Sequence, residues 1–144
     1  MKRHEALAPL SREHHGALIL AQLLKITTPE YKGLPTSPAD KAEYALDFFH
    51  KSLHTHFLKE EEMLEKIKNC NELIDSITTE IFDEHEQLKN AFLALADSKS
   101  LETDLDRLGE NLDKHIRKEE RVLFPLVQEH CTGKLLDEIK NVLH

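Results

Sequence analysis

The chain has 144 residues, 40% hydrophobic and 32% charged, with a net charge of −8. This is the balance of one soluble domain, residues 1–144, and without a basic run it excludes a nucleic-acid backbone as partner. No apolar stretch has membrane-spanning length and SREHH interrupts any leader-like region, so a cytoplasmic protein without membrane association is expected.

Apolar residues recur at helical spacing in four windows, and no window alternates like a strand. The first predicted helix runs through Leu7, Leu10, Ala17, Ala21 and Leu24. It ends before TTPEYKGLPTSP, whose prolines and glycine mark the one long loop. The second opens with Ser37 as N-cap, Pro38 in the first helical position and Asp40 in the first turn. Its stripe is Leu46, Phe49, Leu53, Met63 and Ile67. A break at NCN leads to a third helix with Ile74, Ile77, Ile81, Leu88, Phe92 and Leu95. The turn DSKS precedes a fourth, with Leu105, Leu108, Leu112, Val122 and Leu126, in which Pro125 is expected to kink the end. Gly133 separates a short fifth helix carrying Leu135, Leu136, Ile139 and Leu143, which either caps this bundle or pairs with a second copy as a homodimer. The expected fold is all-α, an up-down-up-down four-helix bundle with a short C-terminal fifth helix. Three long helices with irregular loops is the alternative.

Each of the four stripes contains a polar residue at a core position. Steps of three and four place His14 in the first helix, His56 and Glu60 in the second, His85 in the third, and His115 and Glu119 in the fourth. Burying such groups without partners costs several kcal/mol each, on the order of a domain's whole net stability. A metal centre supplies the compensating charge. Imidazole with carboxylate suits iron, manganese, copper or zinc, and the absence of seam cysteines argues against structural zinc or an iron–sulfur cluster. Four histidines and two glutamates suit two ions sharing bridging carboxylates. The Glu-x-x-His signature of ferritin-like carboxylate bundles and the H-E-x-x-H of metalloproteases are both absent.

The segments EHHGAL, HFLKEEEML, DEHEQL and HIRKEERVLFP resemble the four metal-binding helices of the haemerythrin-like family, the HHE cation-binding domains. The resemblance spans essentially residues 7–126. It implies a non-haem di-iron centre, two iron ions (ferrous or ferric) with a bridging oxo or hydroxo group and with Glu60 and Glu119 as bridges. Other divalent metals suit the same donors. The implied role is binding of dioxygen or a related small ligand such as nitric oxide or peroxide, or sensing and storing iron. A di-iron enzyme, peroxidase-like or donating iron in the repair of damaged iron–sulfur clusters, is the alternative; a binding protein is favoured over an enzyme. Oxygen-carrying haemerythrins place a fifth histidine one turn from that of the third helix. Here the corresponding positions are Ile81 and Lys89, which leaves four histidines and a more open site.

His14 is favoured over the adjacent His15, whose row is mostly polar. Glu61, Glu62 and Glu120 continue acidic runs and read as solvated faces. Glu61 has a second reading, as an acceptor fixing an imidazole tautomer, and Glu13 and Glu84, each just before a histidine, share that reading. His50 and His54 lie beside the seam, and His4, His130 and His144 lie near ends or turns. Phe49, Phe57, Phe92 and Phe124 read as core, some of them lining the site. Cys70 and Cys131 read as reduced thiols, with a single disulfide left open.

Overall fold

A computed structural model describes residues 2–30 and 32–143; Tyr31 of the long loop and His144 lie outside them. Among the described residues the regular structure is entirely helical. The helices are α1 (Ala8–Leu24), α2 (Pro38–Phe48), α3 (His54–Lys66), α4 (Glu72–Ala94), α5 (Leu101–Lys118), α6 (Phe124–His130) and α7 (Gly133–Leu143). A π-helical turn (Phe49–Leu53) joins α2 to α3, a second (Glu119–Leu123) joins α5 to α6, and a short 3-10 turn (Leu95–Asp97) ends α4. None of the helices is long and apolar enough to cross a membrane.

The expected start signals operate. Ser37 Oγ accepts from the Asp40 amide, with Pro38 in the first turn of α2. Asn71, in the NCN break, caps α4 by accepting from the amides of Leu73 and Ile74, and Asn69 turns the chain at φ 69°. Thr132 caps α7 directly before Gly133, its Oγ1 accepting from the Leu135 amide. His4 does more than lie at an end: its carbonyl accepts from the Leu7 and Ala8 amides at the start of α1.

The π turns correct the predicted stripes. A π turn accommodates one extra residue, so the buried face moves on by one position. Past Glu119 the buried residues are Leu123, Phe124 and Val127, whereas the predicted Val122 is exposed and Leu126 half-buried. The irregular turn comes before Pro125, which sits in the first turn of α6. In α2 the buried positions are Ala42 and Ala45, with Leu46 half-buried.

The core falls into two apolar clusters. One holds Ala17, Leu20, Leu24, Phe49, Leu53, Leu88, Phe92, Leu105 and Leu112. The other holds Leu7, Leu10, Met63, Ile67, Ile74, Ile81, Leu123 and Val127. Each of the polar core positions stands in sequence between residues of the first cluster and residues of the second. Helix α7 joins the second cluster through Leu136, Ile139 and Leu143 and packs on α3, so its apolar face is covered by its own chain.

Helices α1 and α5 approach closely at Gly109, where an added Cβ would stand 2.6 Å from the Ala21 carbonyl oxygen and 3.1 Å from Leu24 Cβ. Gly109→Ala should therefore lower stability despite alanine's helix preference of about 1 kcal/mol, because backbone must move. The register shift is tested by a pair of variants in denaturant melts. Leu123→Ala should cost about 2–5 kcal/mol and Val122→Ala less than about 0.5 kcal/mol; a reversed order would contradict the π turn.

Candidate metal centre

Six side chains meet between the two apolar clusters: His14 from α1, His56 and Glu60 from α3, His85 from α4, His115 from α5 and Glu119 from the second π turn. None is more than 4% exposed. His15 is exposed, so α1 turns His14 inward, as its apolar row requires. His50 is exposed, and half-buried His54 stacks on Phe49 with ring centroids 5.5 Å apart, outside the cluster.

The donor atoms form two groups, each compact enough that its atoms lie within 4.8 Å of one another. One is His14, His56 and Glu60; the other is Glu60, His85, His115 and Glu119. Glu60 belongs to both. Its Oε2 lies 3.1 Å from His14 Nε2 and from His56 Nε2, and its Oε1 lies 3.1 Å from His85 Nε2. Glu119 Oε1 reaches His115 Nε2 at 2.8 Å and His14 Nε2 at 3.6 Å.

These contacts do not exhaust the donors. His56 Nε2, His115 Nε2 and both carboxylate oxygens of Glu119 are buried without an aligned hydrogen bond, although carboxylate oxygens stand within 3.1 Å of the two nitrogens. Buried polar atoms are almost always satisfied, so close but misaligned donors suit a shared cation better than each other. The residues fit the metal that their types imply.

The opposite ring nitrogen of every histidine is held by a further carboxylate. His14 Nδ1 meets Glu120 at 3.1 Å, His56 Nδ1 meets Glu13 at 2.9 Å, and His85 Nδ1 meets Glu61 at 2.7 Å. His115 Nδ1 meets Glu84 at 2.7 Å. The four pairs close a ring: α1 supports α3, α3 supports α4, α4 supports α5, and the turn after α5 supports α1. Three of these carboxylates carry a cation outward, Glu13 with Lys59, Glu84 with Lys118 and Glu120 with Arg3. The solvated-face reading of Glu61 and Glu120 is therefore corrected: both are partly buried and bound to imidazoles, as is Glu84, while Glu13 binds its imidazole from an exposed position. A glutamate next to His14, Glu60, His85 and Glu119 in the chain was the available signal.

A family model of the hemerythrin HHE cation binding domain matches residues 5–127, from before α1 into α6. The chain belongs to that family. Among curated proteins and among solved structures, nothing matches.

Electrostatics in this HHE domain follow from burial and pairing. Burial opposes the imidazolium at His14, but hydrogen bonds with Glu120 and Glu60 and their charge outweigh it and raise the group from 6.5 to about 9. The same opposition is overcome at His56 by the Glu60 charge and the Glu13 contact, and at His115 by the Glu119 charge and the Glu84 contact, each to about 10. Burial would raise Glu60 too, yet the His56 charge holds it well below its ordinary range. Glu119 is pushed up by burial and by the Glu60 charge beside it. Protons thus supply the positive charge when no cation does. Because the three histidine values are raised, their stabilisation is complete below the unfolded value of 6.5 and is lost as pH climbs through 9 to 10. Chelator-treated protein should therefore melt at progressively lower temperature from about pH 6.5 to pH 10 in calorimetric scans. A flat profile over that window would contradict the buried pairing.

Proposed function

We propose that this protein binds two iron ions in the His/Glu layer and uses them to bind dioxygen or a related small ligand, nitric oxide or peroxide, or to sense or store iron. The observation that carries the reading is the sharing of Glu60 between two donor groups, with Glu119 reaching histidines of both. One ion would be held by His14, His56 and Glu60, the other by His85, His115 and Glu119, with the two carboxylates bridging. Such a pair supplies reversible one-electron redox chemistry and coordination positions for a small ligand.

The chain's own residues set the terms. Each Glu13, Glu61, Glu84 or Glu120 carboxylate fixes the Nδ1–H tautomer of its histidine and presents Nε2 inward. Phe57 stacks on His85 with centroids 4.1 Å apart, and Phe124 stacks on His14 at 5.6 Å; both are buried and keep water from the donors. The alternation in which the four stripes leave one apolar cluster and enter the other supports an up-down-up-down arrangement of the four crossings.

A di-iron enzyme, peroxidase-like or an iron donor to damaged clusters, is the second reading. Ile81 favours it: fully buried one turn before His85, it occupies a position where a fifth imidazole would complete an oxygen carrier's set.

Anaerobic loading with ferrous iron should give about two irons per chain, and admitting air should change the optical spectrum. Binding should release protons, since the cations replace those on His14, His56 and His115. Glu119→Ala should lose at least one iron, whereas replacing His130, which lies outside the cluster, should lose none. Full metal content in the Glu119 variant would overturn the assignment. Recovery of the original spectrum under vacuum would favour a carrier; irreversible oxidation would favour the enzyme.

A further inference from the structure

Away from the His/Glu layer, two thiols meet. Cys70 lies in the turn between α3 and α4, and Cys131 ends α6, 61 positions away in the chain. Their Sγ atoms are 3.5 Å apart. Cys131 is buried in the apolar cluster beside Ile67, Ile74, Val127 and Leu136, and half-buried Cys70 packs against the same cluster. Both turns are anchored. Asn71 caps α4 directly after Cys70, and the Cys131 amide donates to the Val127 carbonyl at 2.9 Å. Cys70 Sγ also reaches the His130 carbonyl at 3.6 Å. A covalent S–S bond requires about 2.05 Å, so the sulfurs need to close by about 1.5 Å, within reach of side-chain rotation and a small shift of the turns.

We propose that Cys70 and Cys131 form a modification site, oxidised by hydrogen peroxide to an intramolecular disulfide that ties the α3–α4 turn to the α6–α7 turn. Cys70 is the accessible sulfur and reacts first. As a thiolate it attacks one peroxide oxygen, the O–O bond breaks, and Cys70 becomes a sulfenic acid while the departing hydroxide takes up a proton to leave as water. Cys131 sulfur then attacks Cys70 sulfur. The S–O bond breaks, and hydroxide departs with the Cys131 proton as a second water. Two electrons pass from the two sulfurs to the peroxide. The order of attack agrees with the surroundings of Cys131, whose thiol burial and the neighbouring Cys70 push up to about 12. The bond would clamp together the ends of the two segments that carry His56 with Glu60 and His115 with Glu119, without involving any of those side chains.

The test uses the full chain as isolated, starting from reduced thiols. It is treated with hydrogen peroxide and, in a parallel arm that does not act through a bound metal, with diamide. The product is denatured, labelled with a maleimide and weighed. Both arms should yield a monomer two hydrogens lighter that takes up no label and regains both labels after reduction. Closing so long a loop should raise the melting temperature on the order of 10 °C. In Cys70→Ser, the buried Cys131 should stay reduced over the same interval. Two labelled thiols in the treated wild type, disulfide-linked dimers, or over-oxidised Cys70 beside intact Cys131 would each overturn the proposal.

Discussion

The constraint on which the rest of this molecule depends is the burial of six ionisable side chains in one layer between two apolar clusters. Removing carboxylates and imidazoles from water is costly, and removing six together is tolerable only if opposite charge accompanies them. The structure meets that demand twice over. The carboxylates hold protons on His14, His56 and His115, and the same donors converge on space that cations suit. This is why Glu60 and Glu119, chemically identical and both fully buried, are driven in opposite directions: one faces imidazolium charge, the other faces its twin.

The outer carboxylates make the layer a property of the bundle rather than of any one helix. Each crossing contributes one imidazole inward and one carboxylate to a neighbouring imidazole, so the ring closes only when all four are in register. Lys59, Lys118 and Arg3 then connect three of the carboxylates towards the surface. A change in the spacing of any two helices would rotate a histidine, and rotation of a histidine would be felt at the shared Glu60. The two π turns lie beside this layer, one ahead of His54 and His56 and the other beginning at Glu119 itself. Each adjusts the helical register where the chain passes between apolar core and the His/Glu layer.

Much of this was legible from spacing. Among the described residues, steps of three and four identified all six buried polar ones and preferred His14 to His15, because burial is periodic and an ionisable residue on an apolar row is conspicuous. Ser37 and Pro38 announced α2 through capping chemistry that is local to the sequence. What escaped was non-local or energetically quiet. A π turn inserts one residue without any distinctive composition, so the row beyond Glu119 was assigned to Val122 and Leu126 instead of Leu123 and Val127. Glutamates on a helix surface are usually solvated, and only the neighbouring helix turns Glu61 and Glu120 into partners of histidine. The contact between Cys70 and Cys131, the covering of α7 and the tight crossing at Gly109 likewise depend on how distant segments meet.

The central claim is that the six side chains share a pair of cations. Crystals grown from iron-loaded protein and measured at the iron absorption edge test it most directly. Two anomalous peaks about 3.5–4 Å apart, each ligated by histidine Nε2 atoms and joined through Glu60 and Glu119, are the predicted result. A single peak, or iron bound away from this layer, would contradict it.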